Sequence, residues 1–190
     1  MKKQLWSLFC ILSVIGQVQA EWLDNFVGTK TNEFKCEQGG FAVRVPCTLK
    51  ETSETMDTVG GKTVCHQFEG ERGVYQYAVS YSDYQQSFIN QYDSDTLLLG
   101  ASAGALNASK GRILSVSNVT LVKYLENSKK IISYPGKEVS ISGKRQEKAF
   151  VVRARFYLVG NRLYSVMIVS PQGKEDSVMM ADFLESFRLL

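Results

Sequence analysis

Apolar and polar residues alternate along most of the chain, in short runs that glycine, asparagine and proline interrupt. Alternation with a period of two is typical of β-strands that have one buried face. It predicts strands over residues 34–36, 41–45, 49–59, 62–69, 74–81, 112–116, 120–124, 131–134, 137–142, 149–159 and 162–170. Gly60-Gly61 and Gly160-Asn161 are predicted to be two-residue hairpin turns, because these residue types accept positive φ. Pro135-Gly136 is predicted to be a further turn.

Two stretches follow helical spacing instead. The first is predicted to begin at Asp93 or Ser94, either of which can cap a helix, and to stop at Gly111. The second is C-terminal, and its buried stripe is predicted to consist of Met180, Phe183, Leu184 and Phe187. Many strands with one central and one terminal helix predict an α+β protein, with a mostly antiparallel β-sheet flanked by helices.

The first twenty residues have a different pattern. Lys2 and Lys3 precede an apolar run, and small residues stand at Val18 and Ala20. This order is typical of a secretory signal peptide, so we expect cleavage after Ala20 and a periplasmic or secreted protein. The apolar run is shorter than the roughly 20 residues of a membrane-spanning helix. We therefore expect one domain over residues 21–190, with no transmembrane segment in the mature chain.

Composition narrows the class of partner. The chain is 44% hydrophobic and 22% charged, which is typical of a globular protein. Its formal charge is +3, and because Lys2 and Lys3 lie in the predicted signal, the mature chain carries only +1. Nucleic-acid-binding domains are normally strongly basic, so the sequence favours no nucleic-acid partner.

The mature chain keeps three cysteines, Cys36, Cys47 and Cys65, with no C-x-x-C spacing. They are either small buried side chains, or at least one is a free thiol or pairs with a partner. A Cys36–Cys47 bridge is not expected, because a turn at Gly39-Gly40 leaves the two roughly 20 Å apart along the strands. The Gly60-Gly61 turn places Cys65 opposite Met56, which disfavours Cys47–Cys65 and leaves Cys36–Cys65 open.

Candidate catalytic chemistry is sparse. His66 is the only histidine, and it alternates with Val64 and Phe68 on one predicted strand face. The chain contains none of the nucleophile, zinc, calcium or phosphate-loop motifs. Asp93 and Asp95 suit a helix start better than a metal site. The sequence thus predicts no catalytic residues, no cofactor and no metal ligands.

The candidate binding residues lie on the predicted hairpin around Gly160-Asn161. A two-residue turn places four residues on one face, and we call them the strip: Arg153, Arg155, Tyr157 and Tyr164. The opposite face is apolar and is predicted to be core. Arginine suits carboxylate or phosphate contacts, so the strip is a candidate surface for an acidic partner or an anionic ligand. The alternative is that the arginine stems pack beneath a covering helix, with their guanidinium groups paired locally.

Several segments together resemble the exported PsbP-like group, which shares a fold with the Ran-binding factor Mog. The segments are residues 38–46, 77–83, 109–111, 134–138, 153–164 and 183–187. The resemblance implies an α/β/α sandwich around an antiparallel sheet, and largely non-enzymatic members that bind or help to assemble other proteins. It carries over no catalytic residues. Cys47 stands where simpler relatives have glycine.

Two functions are open at this point. The first is a non-enzymatic exported binding or assembly-accessory protein, whose partner is another periplasmic protein or an anionic ligand. The second is a small exported hydrolase or lipid-handling protein with a site between sheet and helix. A deep cleft with convergent polar groups would favour the second function.

Overall fold

The computed structural model describes residues 31–58, 60–125, 127–175 and 178–190. The strands are β1 (Asn32–Cys36), β2 (Phe41–Val45), β3 (Lys50–Thr58), β4 (Gly61–Arg72), β5 (Tyr75–Asp83), β6 (Arg112–Leu125), β7 (Lys130–Arg145), β8 (Lys148–Val159), β9 (Arg162–Pro171) and β10 (Arg188–Leu189). The helices are α1 (Gln86–Ile89), α2 (Ser94–Ser109) and α3 (Val178–Glu185). The predicted signal peptide lies outside the described residues. No helix in the described part of the chain is long and apolar enough to cross a membrane.

The strands form two antiparallel sheets. The large sheet has the order β3-β4-β5-β9-β8-β7-β6, and the small sheet has the order β1-β2-β10. Consecutive strands pair through hairpins at most steps, and β5 pairs with β9 across the centre of the large sheet. The predicted α+β class with a mostly antiparallel sheet is confirmed.

Both faces of the central strands β5, β9 and β8 are buried against other elements. Helix α2 packs on β7 and β8, and its Leu98 and Ala101 belong to the first core, together with Phe156. The small sheet and α3 cover the opposite face, where Phe41 and Phe183 belong to a second core. Strands that are covered on both faces carry apolar residues on both sides. The outer strands β3 and β6 are largely exposed instead.

The sequence correctly predicts how helix α2 begins, but not which residue ends it. Asp93 is the N-cap, and its Oδ1 accepts a 2.8 Å hydrogen bond from the Thr96 N–H. At the other end Lys110, not Gly111, takes the left-handed conformation, with φ of 48°. Gly111 is required for packing, because a Cβ there would lie 2.2 Å from the Ser142 carbonyl oxygen.

The predicted turn at Pro135-Gly136 is wrong, because β7 runs through both residues. Pro135 pairs with Thr120 of β6, but pairing with β8 begins only at Gly136, so one side of β7 is unpaired at the proline. A Cβ on Gly136 would lie 2.4 Å from Cδ1 of Tyr157. The glycine therefore makes room for an aromatic ring of the neighbouring strand.

Two further sequence-based predictions need correction. Pairing of Thr58 with Gly61 shifts the β3–β4 register, so Cys65 lies opposite Glu54 and not opposite Met56. The chain also does not end in a helix, because α3 stops at Glu185 and β10 pairs with β2. The predicted stripe is nevertheless buried along its whole length: Met180, Phe183, Leu184 and Phe187.

Candidate functional site

The four residues of the strip lie on β8 and β9 in the register that the sequence predicts. Gly160 turns the chain with φ of 62°. The pairs on the strip's face are Tyr157 with Tyr164, Arg155 with Val166, and Arg153 with Ile168. The opposite face belongs to the first core, as predicted. The shared face of the strip is therefore confirmed, and its surroundings decide what the face can do.

The two tyrosines of the strip are part of the second core. Tyr157 and Tyr164 are each only 3% exposed. Phe187 stacks on the Tyr157 ring at 5.8 Å and meets the Tyr164 ring edge-on at 5.4 Å. A partner could reach these rings only after α3 and the small sheet had moved away.

The two arginines of the strip share one carboxylate, Glu138 of β7. Arg153 Nη2 donates to Oε1 at 2.8 Å, and Arg155 Nε donates to Oε2 at 2.6 Å. Arg155 Nη1 also donates to the Leu184 carbonyl oxygen at 3.2 Å, near the end of α3. Sequence-based reasoning missed Glu138, although it is the only acid in β7. Only the β7–β8 register, which pairs it with Arg155, reveals its position.

The ion pairs favour the charged forms of Glu138 and Arg155. Burial acts to raise the pKa of Glu138, but hydrogen bonds from both arginines outweigh burial and hold the pKa below its usual value. Burial likewise acts against the charge of Arg155, but the hydrogen bond to Glu138 leaves the pKa of the guanidinium raised. The strip thus carries a satisfied ion network that joins β7, β8 and α3.

Arg162 lies on the same face of β9 as Tyr164, two residues away, but sequence-based reasoning did not include it in the strip. Its Nε and Nη2 each donate to Asp83 at 2.6 Å, and its Nη1 donates to the Gln38 and Gly39 carbonyl oxygens at 3.0 Å. The hydrogen bonds to Asp83 raise the pKa of the guanidinium, the largest of the effects on it. Arg162 therefore ties the β1–β2 turn to the large sheet.

His66 is half-buried, and its ring stacks on the ring of Tyr81 at 4.6 Å. Tyr81 is also a neighbour of Arg162. The His66 Nδ1 lies 3.1 Å from Ser53 Oγ and 3.7 Å from Glu51 Oε1. A serine triad needs the nucleophile on one ring nitrogen and the acid on the other. Here both groups converge on Nδ1, so the three residues do not form a triad.

Two phenol hydroxyls in the second core have no hydrogen-bond partner among the described residues, those of Tyr77 and Tyr81. Burial is the largest cause of the raised pKa of both, and it brings the pKa of Tyr81 to about 12. Burial also raises the pKa of the Cys36 thiol, and it raises that of Cys47 to about 11. These side chains are neutral at physiological pH and poorly suited to nucleophilic chemistry.

The exposed apolar side chains of the described residues concentrate at the other end of the molecule. We define the edge surface as the five that share one face of β6 and the start of β7: Ile113, Val116, Val122, Tyr124 and Ile131. Val122, Tyr124 and Ile131 are 51%, 55% and 69% exposed. They lie on the part of the β6–β7 hairpin that extends past the end of β8, where β7 has lost its second neighbour.

A cavity of about 160 Å³ lies between the small sheet and α3. Its lining consists of Thr31, Arg44, Pro46, Met179, Asp182 and Phe183. Ligand pockets usually enclose about 300–1,000 Å³, and this lining has neither histidine nor cysteine. Among the described residues, no group of three or more His, Cys, Asp and Glu side chains is placed to hold a metal ion.

Comparison with protein families gives no match, and comparison with curated proteins gives none either. Among solved structures, cyanobacterial PsbP (CyanoP) from Synechocystis sp. PCC 6803 is similar with a TM-score of 0.52 and 8% sequence identity. That match covers 90% of this chain and 98% of the cyanobacterial one. It shows a PsbP-like fold, which is what the sequence resemblance implied.

A second structure, a protein of unknown function from Pseudomonas aeruginosa, has a TM-score of 0.35 and 6% identity, and covers 76% of this chain and 85% of its own. This similarity is too low to carry an argument. The comparisons therefore concern fold only, because one fold hosts many unrelated functions.

Proposed function

We propose that the protein is a non-enzymatic, exported binding or assembly-accessory protein, whose mature form is a single domain over residues 21–190. The observation that carries the proposal is the edge surface. Three of its members, Val122, Tyr124 and Ile131, are neighbours on the β6–β7 hairpin. Monomeric proteins rarely expose large contiguous apolar patches unless they bind a partner there. The PsbP-like fold agrees with the proposal, since accessory proteins are what the sequence resemblance implies. Localisation in the periplasm or outside the cell follows from the predicted signal peptide.

The proposal also concerns how the helices and sheets are layered. Helix α2 forms one outer layer, the large sheet the middle layer, and α3 with the small sheet the other outer layer. We infer that this is a variant of the α/β/α sandwich in which a small sheet shares one helical layer.

Within this arrangement the arginines of the strip link β8 to β7 and to α3. Arg153 and Arg155 bind Glu138, and Arg155 also reaches α3. The direct binding role that the sequence predicts for the strip stays a prediction. It requires a partner to compete with Glu138 for the arginines.

The second candidate function, a small exported hydrolase or lipid-handling protein, is favoured by the cavity beside α3. Arg44 and Asp182 bring opposite charges to its lining. The small volume of the cavity weighs against this function, and so do the raised thiol pKa values of the half-buried Cys36 and Cys47. Turnover of ester or phospholipid substrates that Arg44→Ala abolishes in folded protein would establish it instead.

The experiment that tests the proposed function is capture of native partners by the mature protein. The paired change Val122→Ser and Tyr124→Ser removes apolar area from the edge surface. A matched control makes the same two changes at Val64 of β4 and at Tyr92, between α1 and α2, which are also exposed. We expect the edge variant, but not the control, to lose partners. Equal capture by both would refute the proposed function.

A further inference from the structure

Among the described residues, no strand is hydrogen-bonded to the outer side of β6. β6 is the last strand of the large sheet, and it pairs with β7 without interruption from Ser115 to Leu125. An irregularity between Ile113 and Ser115 disturbs only the beginning of the strand. A long, regular edge presents a row of backbone donors and acceptors that another strand can pair with.

The opposite edge of the large sheet is protected, and the contrast is informative. Strand β3 presents Glu51, Glu54 and Asp57 and has no exposed large apolar side chain. Charged edges of this kind prevent unwanted strand pairing. Strand β6 presents Val116, Val122 and Tyr124 in the alternation that a docking strand would contact. Within the described part of the chain, charged residues therefore protect one edge of the large sheet, and no strand is paired with the other.

Charge indicates what kind of strand fits there. From Arg112 to Pro135 the sequence carries four basic residues and a single acid, Glu126. The basic residues are Arg112, Lys123, Lys129 and Lys130. Lys123 Nζ already donates to the Leu190 carbonyl oxygen, so the charge argument rests on the other three. A second copy of this chain docked through β6 would bring two basic edges together, which like-charge repulsion disfavours. An acidic strand would be attracted instead.

The unpaired backbone groups of β6 disfavour a lipid surface as the binding partner of this edge. Lysines beside exposed tyrosine and isoleucine would suit an anionic bilayer. Inserting this hairpin would, however, leave the unpaired N–H and C=O groups of β6 in hydrocarbon, at a cost of several kcal/mol each. A polypeptide strand satisfies those groups while it covers the apolar side chains.

We propose that the edge strand β6 binds an extended, acidic segment of a partner protein as an additional antiparallel or parallel strand of the large sheet. This inference rests on the proposed function and names the mode and chemistry of binding. Main-chain hydrogen bonds supply affinity, the edge surface contacts the apolar side chains of the segment, and Lys129 and Lys130 select its acidic side chains.

The test uses three synthetic peptides of about ten residues, the length that β6 offers between Ser115 and Leu125. The first alternates valine with glutamate or threonine. The second replaces glutamate by lysine, and the third carries N-methyl groups on alternate backbone nitrogens. We expect only the first peptide to bind, with an affinity that falls as the salt concentration rises. Its binding should slow hydrogen exchange of the β6 amides.

Two variants of the protein locate the site. Val122→Ser with Tyr124→Ser should weaken binding of the first peptide at least about tenfold, while the matched changes at Val64 and Tyr92 should not. Lys129→Gln with Lys130→Gln should weaken it and reduce its salt dependence. The same change at Lys144 and Lys148, on the β7–β8 hairpin, is the control.

Several outcomes would overturn the inference. Binding of the N-methylated or the lysine peptide as tightly as the acidic one would do so. So would a dimer in sedimentation, or attachment to vesicles of anionic phospholipid, that the edge variant abolishes. If no peptide binds while the edge variant still loses native partners, strand addition is wrong and the proposed function stands. If native capture is also unaffected by the edge variant, both are wrong.

Discussion

The phenol hydroxyl of Tyr164 donates a 2.6 Å hydrogen bond to the backbone carbonyl oxygen of Gly39, 125 positions earlier in the chain. This bond joins the central strand β9 to the turn between β1 and β2. The same carbonyl oxygen accepts a hydrogen bond from Arg162 at 3.0 Å. The small sheet is thus fixed on the large sheet by polar contacts as well as by the second core.

Tyr164→Phe should therefore lower the free energy of unfolding by about 1 kcal/mol, the usual net value of a buried hydrogen bond. Tyr81→Phe is the matched control, because the Tyr81 hydroxyl is buried with no partner among the described residues. Removing it should leave stability unchanged or raise it. Urea unfolding measures both. An equal loss from the two substitutions would contradict the assignment.

The Glu138 network predicts a dependence of stability on pH. The folded-state pKa of Glu138 is held below its unfolded value, so the stabilisation is present above the unfolded pKa. It is lost as pH falls through the folded pKa, in the acid range below about 4.5. Glu138→Gln should lower stability at pH 7 by about 2 kcal/mol and flatten the acid limb of the profile. A variant that keeps the wild-type acid limb would show that other carboxylates cause it.

Substituting the two arginines of the strip separates a structural from a binding role. Arg153→Gln with Arg155→Gln leaves Glu138 half-buried without its cations, so we expect a lower melting temperature. Capture of native partners by protein that is still folded should be unchanged. Loss of partners at unchanged stability would instead support the binding role that the sequence predicts.

Gly136→Ala should be among the most damaging small changes in the chain. The added Cβ would lie 2.4 Å from Cδ1 of Tyr157 and 2.7 Å from the Phe156 carbonyl oxygen, and backbone cannot move aside cheaply. We expect a loss of about 1–3 kcal/mol, which is typical of overpacking. Gly173→Ala is the contrast, because a Cβ there meets nothing within 4 Å and only its φ of 87° resists the change. Thermal unfolding of the two variants compares the cost of steric overlap at Gly136 with the cost of backbone strain at Gly173.

The cysteines should react slowly in the folded protein. Burial raises the thiol pKa of Cys36, and that of Cys47 to about 11, so little thiolate is present at pH 8. We expect alkylation to accelerate sharply on unfolding. Peptide mapping without reduction should give no Cys36–Cys47 link, since Cys36 pairs with Phe41 at one end of the β1–β2 hairpin and Cys47 follows its other end. Fast labelling of Cys47 in native protein would contradict the raised pKa of its half-buried thiol.

His66→Asn should leave any biological activity largely intact, because both polar neighbours of its ring lie at the same nitrogen. A modest loss of stability is expected from the lost stacking on Tyr81. Disappearance of a measurable turnover at unchanged stability would revive the enzymatic alternative.

Local patterns in the sequence were enough to predict several elements. Alternation placed most strands, Asp93 capped the central helix, and Gly160 fixed the register that brings Tyr157 opposite Tyr164. Each of these depends on residues that are close together in the chain. The same locality explains the errors: Pro135-Gly136 is typical of a turn, and only the neighbouring Tyr157 ring shows why glycine is needed inside a strand.

The tertiary structure alone decided what the strip faces. Parity placed Arg153 and Arg155 on one side of the sheet, but burial of that side comes from the small sheet and α3, which are distant in sequence. Pairing with Glu138 required the β7–β8 register, and the open edge of β6 required the order of all strands in the large sheet. Backbone periodicity is a local property of the chain, whereas burial and charge pairing depend on contacts between distant segments, which only the folded arrangement brings together.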